Sequence, residues 1–430
     1  MRTRRIVQGA VLAVTLALVA AACGSKNESS SGDSGLGGGS TTSTTAKAAA
    51  SDLDRIPADT TGVTATSVKI GIHAPLMLGG VDLDSVLGLG KLSRAYWKMV
   101  NDAGGINGRT VDVQLVNDGY TVDTALQACR DLVQKDVLFV SGTGGADQIV
   151  ACAQLALREK MPYLSLGVSE AGLVDQDGYR ALTATYEQAS RMLVHYLVAK
   201  LDGANKKLAM IRFNSPNADG AHKAFVDEVA ATHLPSLVVD DAVDKQGNPN
   251  ELTSECLKLK QANADIVYVL AAPTVSTAMA RSCSSQGYKP QYVTVPNTLA
   301  CDVELPIGAQ ELDGCISLSP SRSPLDTDNE LTRQAHDTWA ANYPGQKFPS
   351  DGETFWGYFD VLREALKQAG TDLNRHSFLQ ALGKLDYDNG LFNPIHFEGQ
   401  KVNQAGVVVL KANFAKQGNE TIIRDWTTKF

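Results

Sequence analysis

The sequence predicts an α/β protein of two doubly wound parallel-sheet lobes. Three observations predict it. From residue 67 onward short β-rich runs alternate with longer stretches of helical periodicity. The alternation forms two series of similar length, one ending near Thr183 and the next beginning near Glu187. About 365 residues lie beyond the N-terminal low-complexity stretch, more than one hydrophobic core usually holds. Strand alternating with helix argues for parallel sheets covered on both faces.

In chain order, 68–73 (VKIGIH) reads as a strand, 87–103 as a helix with apolar positions at helical spacing, and 110–116 (TVDVQLV) as a strand. Helix 121–134, strand 137–141, helix 146–159 and strand 163–166 complete the first series. The second runs through a helix to 200, strand 207–212, a helix to about 232, strand 236–240, helix 251–262, strand 266–270, helix 275–286 and strand 291–295. In open parallel sheets ligands sit in the crevice beyond the carboxyl ends of the strands, which directs attention to the loops there.

The N-terminus has a different character. Arg2, Arg4 and Arg5 precede an uncharged apolar run over 6–22, the charge-then-apolar layout of a signal peptide. A run this long is at the lower edge of what spans a bilayer, so its length leaves a permanent transmembrane helix open and the residues at its end decide. It ends Leu18-Val19-Ala20-Ala21-Ala22-Cys23-Gly24-Ser25, which resembles the bacterial lipoprotein signal. That resemblance implies a signal peptide over 1–22 and an acylated Cys23 at the mature N-terminus. The alternative is an ordinary secretory signal that leaves Cys23 as a free thiol. Residues 24–65 are mostly Ser, Thr, Gly and Ala, too poor in apolar surface to offset their ordering entropy. The stretch 23–65 is therefore expected to be a lipid-anchored, flexible tether.

Without the signal arginines the chain has 36 basic against 47 acidic residues and no basic stripe, which disfavours nucleic-acid binding. Besides Cys23 there are six cysteines, an even number in an exported chain: Cys129, Cys152, Cys256, Cys283, Cys301 and Cys315. Fifteen disulfide pairings are possible. The sequential one is favoured, because Cys129 with Cys152, Cys256 with Cys283, and Cys301 with Cys315 each close a short loop within one structural unit. No metal site is expected, since the close paired ligands of a zinc site are missing.

Two loops invite chemistry. Ser141-Gly142-Thr143-Gly144-Gly145-Ala146-Asp147-Gln148 opens a helix with amides suited to an anionic group. A dinucleotide fingerprint would need glycine where Asp147 stands, and no Walker lysine comes after it. The plainer reading is a strand-to-helix turn with Asp147 capping the helix. Gly167-Val168-Ser169-Glu170-Ala171-Gly172 narrowly misses the nucleophile elbow, and none of the seven histidines pairs with an aspartate at a recognisable position. Ser169 could equally cap a helix. An enzyme is not expected, and no cofactor is called for.

Residues 68–71 with Pro75, the run Asn101-Asp102-Ala103-Gly104-Gly105-Ile106-Asn107-Gly108-Arg109, strand 111–116, Asn117-Asp118 and the helix to Asp131 together resemble the branched-chain-amino-acid-binding type of periplasmic binding protein. N-D-A-G-G-I-N-G is the most specific piece, a helix end, a turn and a hairpin-like entry to strand two. The resemblance extends to about Val409.

It implies a type I fold with three crossovers, a ligand held at the hinge cleft, and delivery to the membrane permease of an ABC importer. Lobe one would be 66–185 plus 317–398, and lobe two 186–316 plus 399–430. By position the family's ligand contacts fall on Leu78, Gly144, Gly145, Ala146, Asp147, Gln148, Gly167, Val168, Ser169, Asn217, Ala272, Thr274, Asn297 and Glu353. In amino-acid-binding members an acid from lobe two grips the ammonium, and here that position is Asn297. A standard branched-chain amino acid is therefore not expected. Glu353 could replace the lost charge or face solvent at a helix start. Ala218 and Ala272 stand where aromatic side chains are expected and suggest a roomier pocket.

The expected protein is thus a monomeric solute-binding lipoprotein on the extracytoplasmic face of the cell membrane. It captures a small molecule by hinge closure. The rivals are a sensor that signals to a membrane receptor, a secreted hydrolase using Ser169, and an envelope protein with an empty cleft. Trp356 and Tyr358 are read as lining the hinge or as core.

Overall fold

Strand Ser67–Ala74 (β1) places Val68, Ile70 and Ile72 on one face and Gly71 and His73 on the other, and nearly all of it is buried. Burial on both faces is what a central strand of a parallel sheet requires. β1 pairs with Thr110–Asn117 (β2) on one side and Val140–Gly142 (β3) on the other. Tyr163–Ser165 (β4) and Tyr179–Ala181 (β5) extend the sheet in the order β2-β1-β3-β4-β5, every pair parallel. The computed structural model describes residues 55–430 apart from 79–80, 169–171, 246, 297, 299–300, 302–309 and 405. The expected signal segment and Cys23 lie outside the described residues.

A second sheet is built from Leu208–Phe213 (β6), Val239–Val243 (β7), Ile266–Leu270 (β8), Gln291–Thr294 (β9), Ile316–Ser319 (β10), Val407–Asn413 (β11) and Gly418–Thr427 (β12). Its order is β12-β11-β10-β9-β8-β6-β7. Strands β6 to β10 run parallel, and β11 and β12 add an antiparallel flank. β8 (IVYVL) is buried throughout, as its central place demands, whereas edge strand β7 (VDDAV) alternates. The expected lobe boundary at 317 falls inside β10, so residues 317–319 go with the seven-stranded sheet.

Helices Leu89–Asp102 (α1), Val122–Gln134 (α2) and Ala146–Arg158 (α3) cover the first sheet, and Tyr186–Lys200 (α4), Pro216–Ala231 (α5), Pro249–Ala262 (α6) and Pro273–Ser285 (α7) the second. Glu330–Asn342 (α8), Gly352–Gln368 (α9) and Arg375–Gly383 (α10) return to lobe one. Local sequence starts these helices. Thr185 and Gln188 form a capping box at α4, and Pro216, Pro249 and Pro273 stand in the first turns of α5, α6 and α7, where a missing N–H costs nothing. Trp356 is fully buried edge-on to Tyr96, with ring centroids 4.9 Å apart, and Tyr358 donates to Ser141 Oγ at 2.6 Å. Both are core residues, not hinge linings, because Trp356 packs on α1 and Tyr358 on the sheet.

The three disulfides are the sequential set: Cys129–Cys152 ties α2 to α3, Cys256–Cys283 ties α6 to α7, and Cys301–Cys315 closes the loop before β10. The turn at 104–109 is closed by the Ile106–Arg109 bridge. At Gly105 φ is +73°, and a Cβ there would lie 2.0 Å from the Arg109 carbonyl oxygen, so only glycine fits.

The chain passes between the sheets three times, after β5, after β10 and before β11, and the passages are stitched together. Asn393 donates its backbone N–H to Pro320 O at 2.7 Å and its side-chain amide to Leu182 O at 3.0 Å. Asn403 adds a second donor to Leu182 O at 2.9 Å. The expected tether is shorter than 23–65 at its C-terminal end. Ile56 is buried, and Asp59 pairs with Arg375 at 2.9 Å, so this stretch belongs to lobe one.

Candidate functional site

The carboxyl ends of strands from both sheets open onto one cavity of about 1140 Å³, part of it exposed to solvent. Its walls come from residues 74–76 at the end of β1, 143–144 after β3, 166 and 168 after β4, 294–296 and 298 at the end of β9, 317–322 at β10 and the second passage, and 350–351 and 353–355 at the start of α9. Much of the lining is apolar, including Leu76, Leu83, Leu87, Val168, Val295 and Phe355. A smaller cavity of about 400 Å³ shares Gly144 and Thr298 with it and is bordered by Tyr120, Tyr186, Phe213 and Lys245. Gly144 sits at φ +96°, and a Cβ there would fall 2.4 Å from Pro75 Cδ. Glycine is what lets this loop pass so close to the β1 loop.

Beside the smaller cavity Asp147 reaches across from lobe one to lobe two. Its Oδ1 accepts from Ser215 Oγ at 2.7 Å and Asn217 Nδ2 at 2.5 Å, and its Oδ2 from Lys245 Nζ at 2.6 Å. Burial pushes the Asp147 pKa up, but the hydrogen bonds from Lys245, Ser215 and Asn217 outweigh it and hold the carboxyl below its usual range. Lys245 Nζ also stands 5.1 Å from the Tyr120 ring centroid. Burial, with Asp147 and Asp118 nearby, pushes the Tyr120 phenol up to about 12. Asp147 is not the cap of α3, whose N-cap is Gly145.

Of the other residues singled out in the sequence, Val168 and Glu353 border the large cavity, Ala146 and Ala272 the smaller, and Gly144 both. Glu353 is buried and its Oε1 lies 2.9 Å from His336 Nε2, so it does not face solvent. Gln148 and Gly167 are buried, Thr274 is exposed, and none of the three borders either cavity. Leu78 lies in a two-residue strand paired with Val81–Asp82; its side chain, and Ser169 and Asn297 altogether, lie outside the described residues.

The sequence reasoning missed Tyr120, Tyr186, Phe213, Lys245 and Arg322. Tyr120 and Phe213 stand at or just past the carboxyl ends of β2 and β6, where the strand-end rule points. Arg322 lies just beyond β10, a strand with no clear signal of its own. A histidine–aspartate pair was also missed. His73 Nδ1 lies 2.9 Å from Asp118 Oδ2 and its Nε2 2.6 Å from Tyr163 OH, all fully buried. With no access to a substrate, this chain of groups fastens β1 to its neighbours.

Two α/β lobes joined by three passages, with a cleft where the strands end, define a two-lobed binding protein. The sequence profile of the Periplasmic binding protein family matches residues 67–417, and this chain belongs to that family, whose members bind solutes and are not enzymes. A relative, Leu/Ile/Val-binding protein homolog 1 of Brucella suis biovar 1 (strain 1330), is 23% identical over 318 residues, covering 69% of this chain and 80% of that protein. Homolog 7 of the same organism is 25% identical over 206 residues, 45% of this chain and only 50% of the relative's length.

Among solved structures, a fatty acid ABC transporter substrate-binding protein from Thermomonospora curvata superimposes with a TM-score of 0.72 at 20% identity, covering 85% of this chain and 94% of that one. A solute-binding protein of an ABC transporter from Rhodopseudomonas palustris BisB5, in complex with 3,4-dihydroxy benzoic acid, gives 0.66 at 16% identity, covering 81% and 93%. At these identities the likeness shows the fold, that of type I periplasmic binding proteins. The family implies an extracytoplasmic location.

Proposed function

We propose that this protein captures a small apolar solute between its lobes by hinge closure and delivers it to the permease of an ABC importer, held at the membrane by an acylated Cys23. The observation that carries the reading is the apolar lining of the large cavity at the strand ends of both sheets. The branched-chain amino acids are not its ligands. Asp147 and Asn217, at positions that meet an amino acid elsewhere in the family, are engaged with each other here. Small Ala272 leaves room beside the aromatic groups of the smaller cavity. Neighbours of the same fold that handle a fatty acid and a dihydroxybenzoic acid make an apolar or aromatic solute reasonable.

The lobes are proposed as 56–185 with 320–398, and 186–319 with 399–430. Thermal unfolding tests the ligand class, because a ligand bound only by the native state raises Tm by mass action. Saturating medium-chain or aromatic apolar compounds are expected to raise Tm, and Leu, Ile and Val to leave it unchanged. A rise with Leu, Ile or Val contradicts the reading. The anchor is tested separately: Cys23→Ser is expected to move the protein from the membrane fraction to the soluble one, and retention at the membrane rejects acylation there.

A further inference from the structure

Among the described residues, four charged side chains border the large cavity: Asp84, Asp351, Glu353 and Arg322. The three acids are engaged. Asp84 Oδ1 accepts from Gly90 N at 2.5 Å, Glu353 is bonded to His336, and Asp351 also has a partner. Arg322 differs. Its backbone N–H is spent on Leu391 O at 3.0 Å in the second passage between lobes, but no hydrogen bond or ion pair from the described residues reaches its guanidinium, and its Nε is buried without a partner. Ser350 Oγ, on the same wall, is likewise buried and unpartnered. Asn419 Oδ1, an acceptor, is a third such atom and suits a hydroxyl or a water.

A half-buried guanidinium beside an apolar cavity with no counter-charge among the described residues has its planar fork free to match a carboxylate with two parallel hydrogen bonds. We propose that the solute carries a carboxylate, that Arg322 pairs with it, and that Ser350 adds a hydroxyl donor. The apolar remainder of the solute lies along the leucine-lined wall. This assignment rests on the apolar-cleft reading above and narrows it to apolar carboxylates. Because Arg322 stands on a passage between lobes, the same ion pair ties ligand binding to the hinge.

Calorimetric titration of the purified protein with octanoate and benzoate, each against its neutral amide, tests the assignment. In the wild type at least one acid is expected to bind roughly 10- to 100-fold more tightly than its amide, the range of a charge-assisted hydrogen-bonded contact. Arg322→Gln is expected to abolish that preference while leaving amide affinity in place, and Arg322→Lys to keep part of it. Equal affinity for acid and amide in the wild type overturns the carboxylate assignment and leaves the apolar-cleft reading standing. That comparison needs no variant to fold. An undiminished preference in a cooperatively melting Arg322→Gln protein overturns the role of Arg322 in the same way. Failure of all four compounds to bind overturns the assignment together with the reading beneath it.

Discussion

At Asp147 a single carboxylate takes three donors from the opposite lobe: Ser215, Asn217 and Lys245. Such a contact exists only when the lobes are together, so it favours closure. Replacing Asp147 with Ala removes the ion pair and leaves Lys245 half-buried; the cost to the closed form is expected at about 1–2 kcal/mol. Ligand affinity should fall about tenfold, read by titration calorimetry; unchanged affinity would show that the clasp is idle.

The lowered pKa of Asp147 sets the pH dependence. A depressed carboxyl stabilises the contact above its free value of about 3.9, and the contribution is lost as pH falls through the lowered one. Affinity is therefore expected to be flat from neutral pH down to about 5 for this group and to weaken only below about 4. Sequence reading picked out Asp147 from its loop, but not its partners. They lie 68 to 98 residues away, and no local pattern encodes a contact made by bringing two lobes together.

Among the elements, those with strong periodicity were legible and those shaped by context were not. The strand expected over 266–270 is found as Ile266–Leu270, because five consecutive apolar residues leave little choice of register. The strand expected over 236–240 is Val239–Val243 instead. As an edge strand it needs one face only, and its VDDAV sequence serves better than the apolar residues before it. Helix 87–103 begins at Leu89, because Gly88, left-handed at φ 68°, ends a preceding four-residue turn of helix.

The disulfides act at this scale, two joining successive helices across 23 and 27 residues and the third closing a loop across 14. By loop-closure entropy each contributes about 3 kcal/mol. Reduction by dithiothreitol under mild denaturation is expected to lower Tm by several degrees. Cys256→Ser with Cys283→Ser should lower it without abolishing ligand binding, since neither cysteine borders either cavity. An unaltered Tm after complete reduction would contradict a stabilising role.

For the whole molecule, the division into two α/β lobes was legible because length and alternation both demand it. The passages between the lobes were legible only through family resemblance: β10 is four residues long, and what fixes it is pairing with β9 and β11. The leucine-lined wall escaped notice for a related reason. Leu76, Leu83, Leu87 and Val295 are scattered in sequence and become one surface only when the strand ends converge. Asn393, with one bond to each of the other two passages, holds the three in register.

Small-angle X-ray scattering of the purified protein, with and without a saturating apolar compound that raises its Tm, tests capture by closure most directly. The account predicts a smaller radius of gyration on binding and a larger one for ligand-free Asp147→Ala than for the ligand-free wild type. Identical scattering in all three states would mean that the lobes do not close on their ligand and would contradict the central claim.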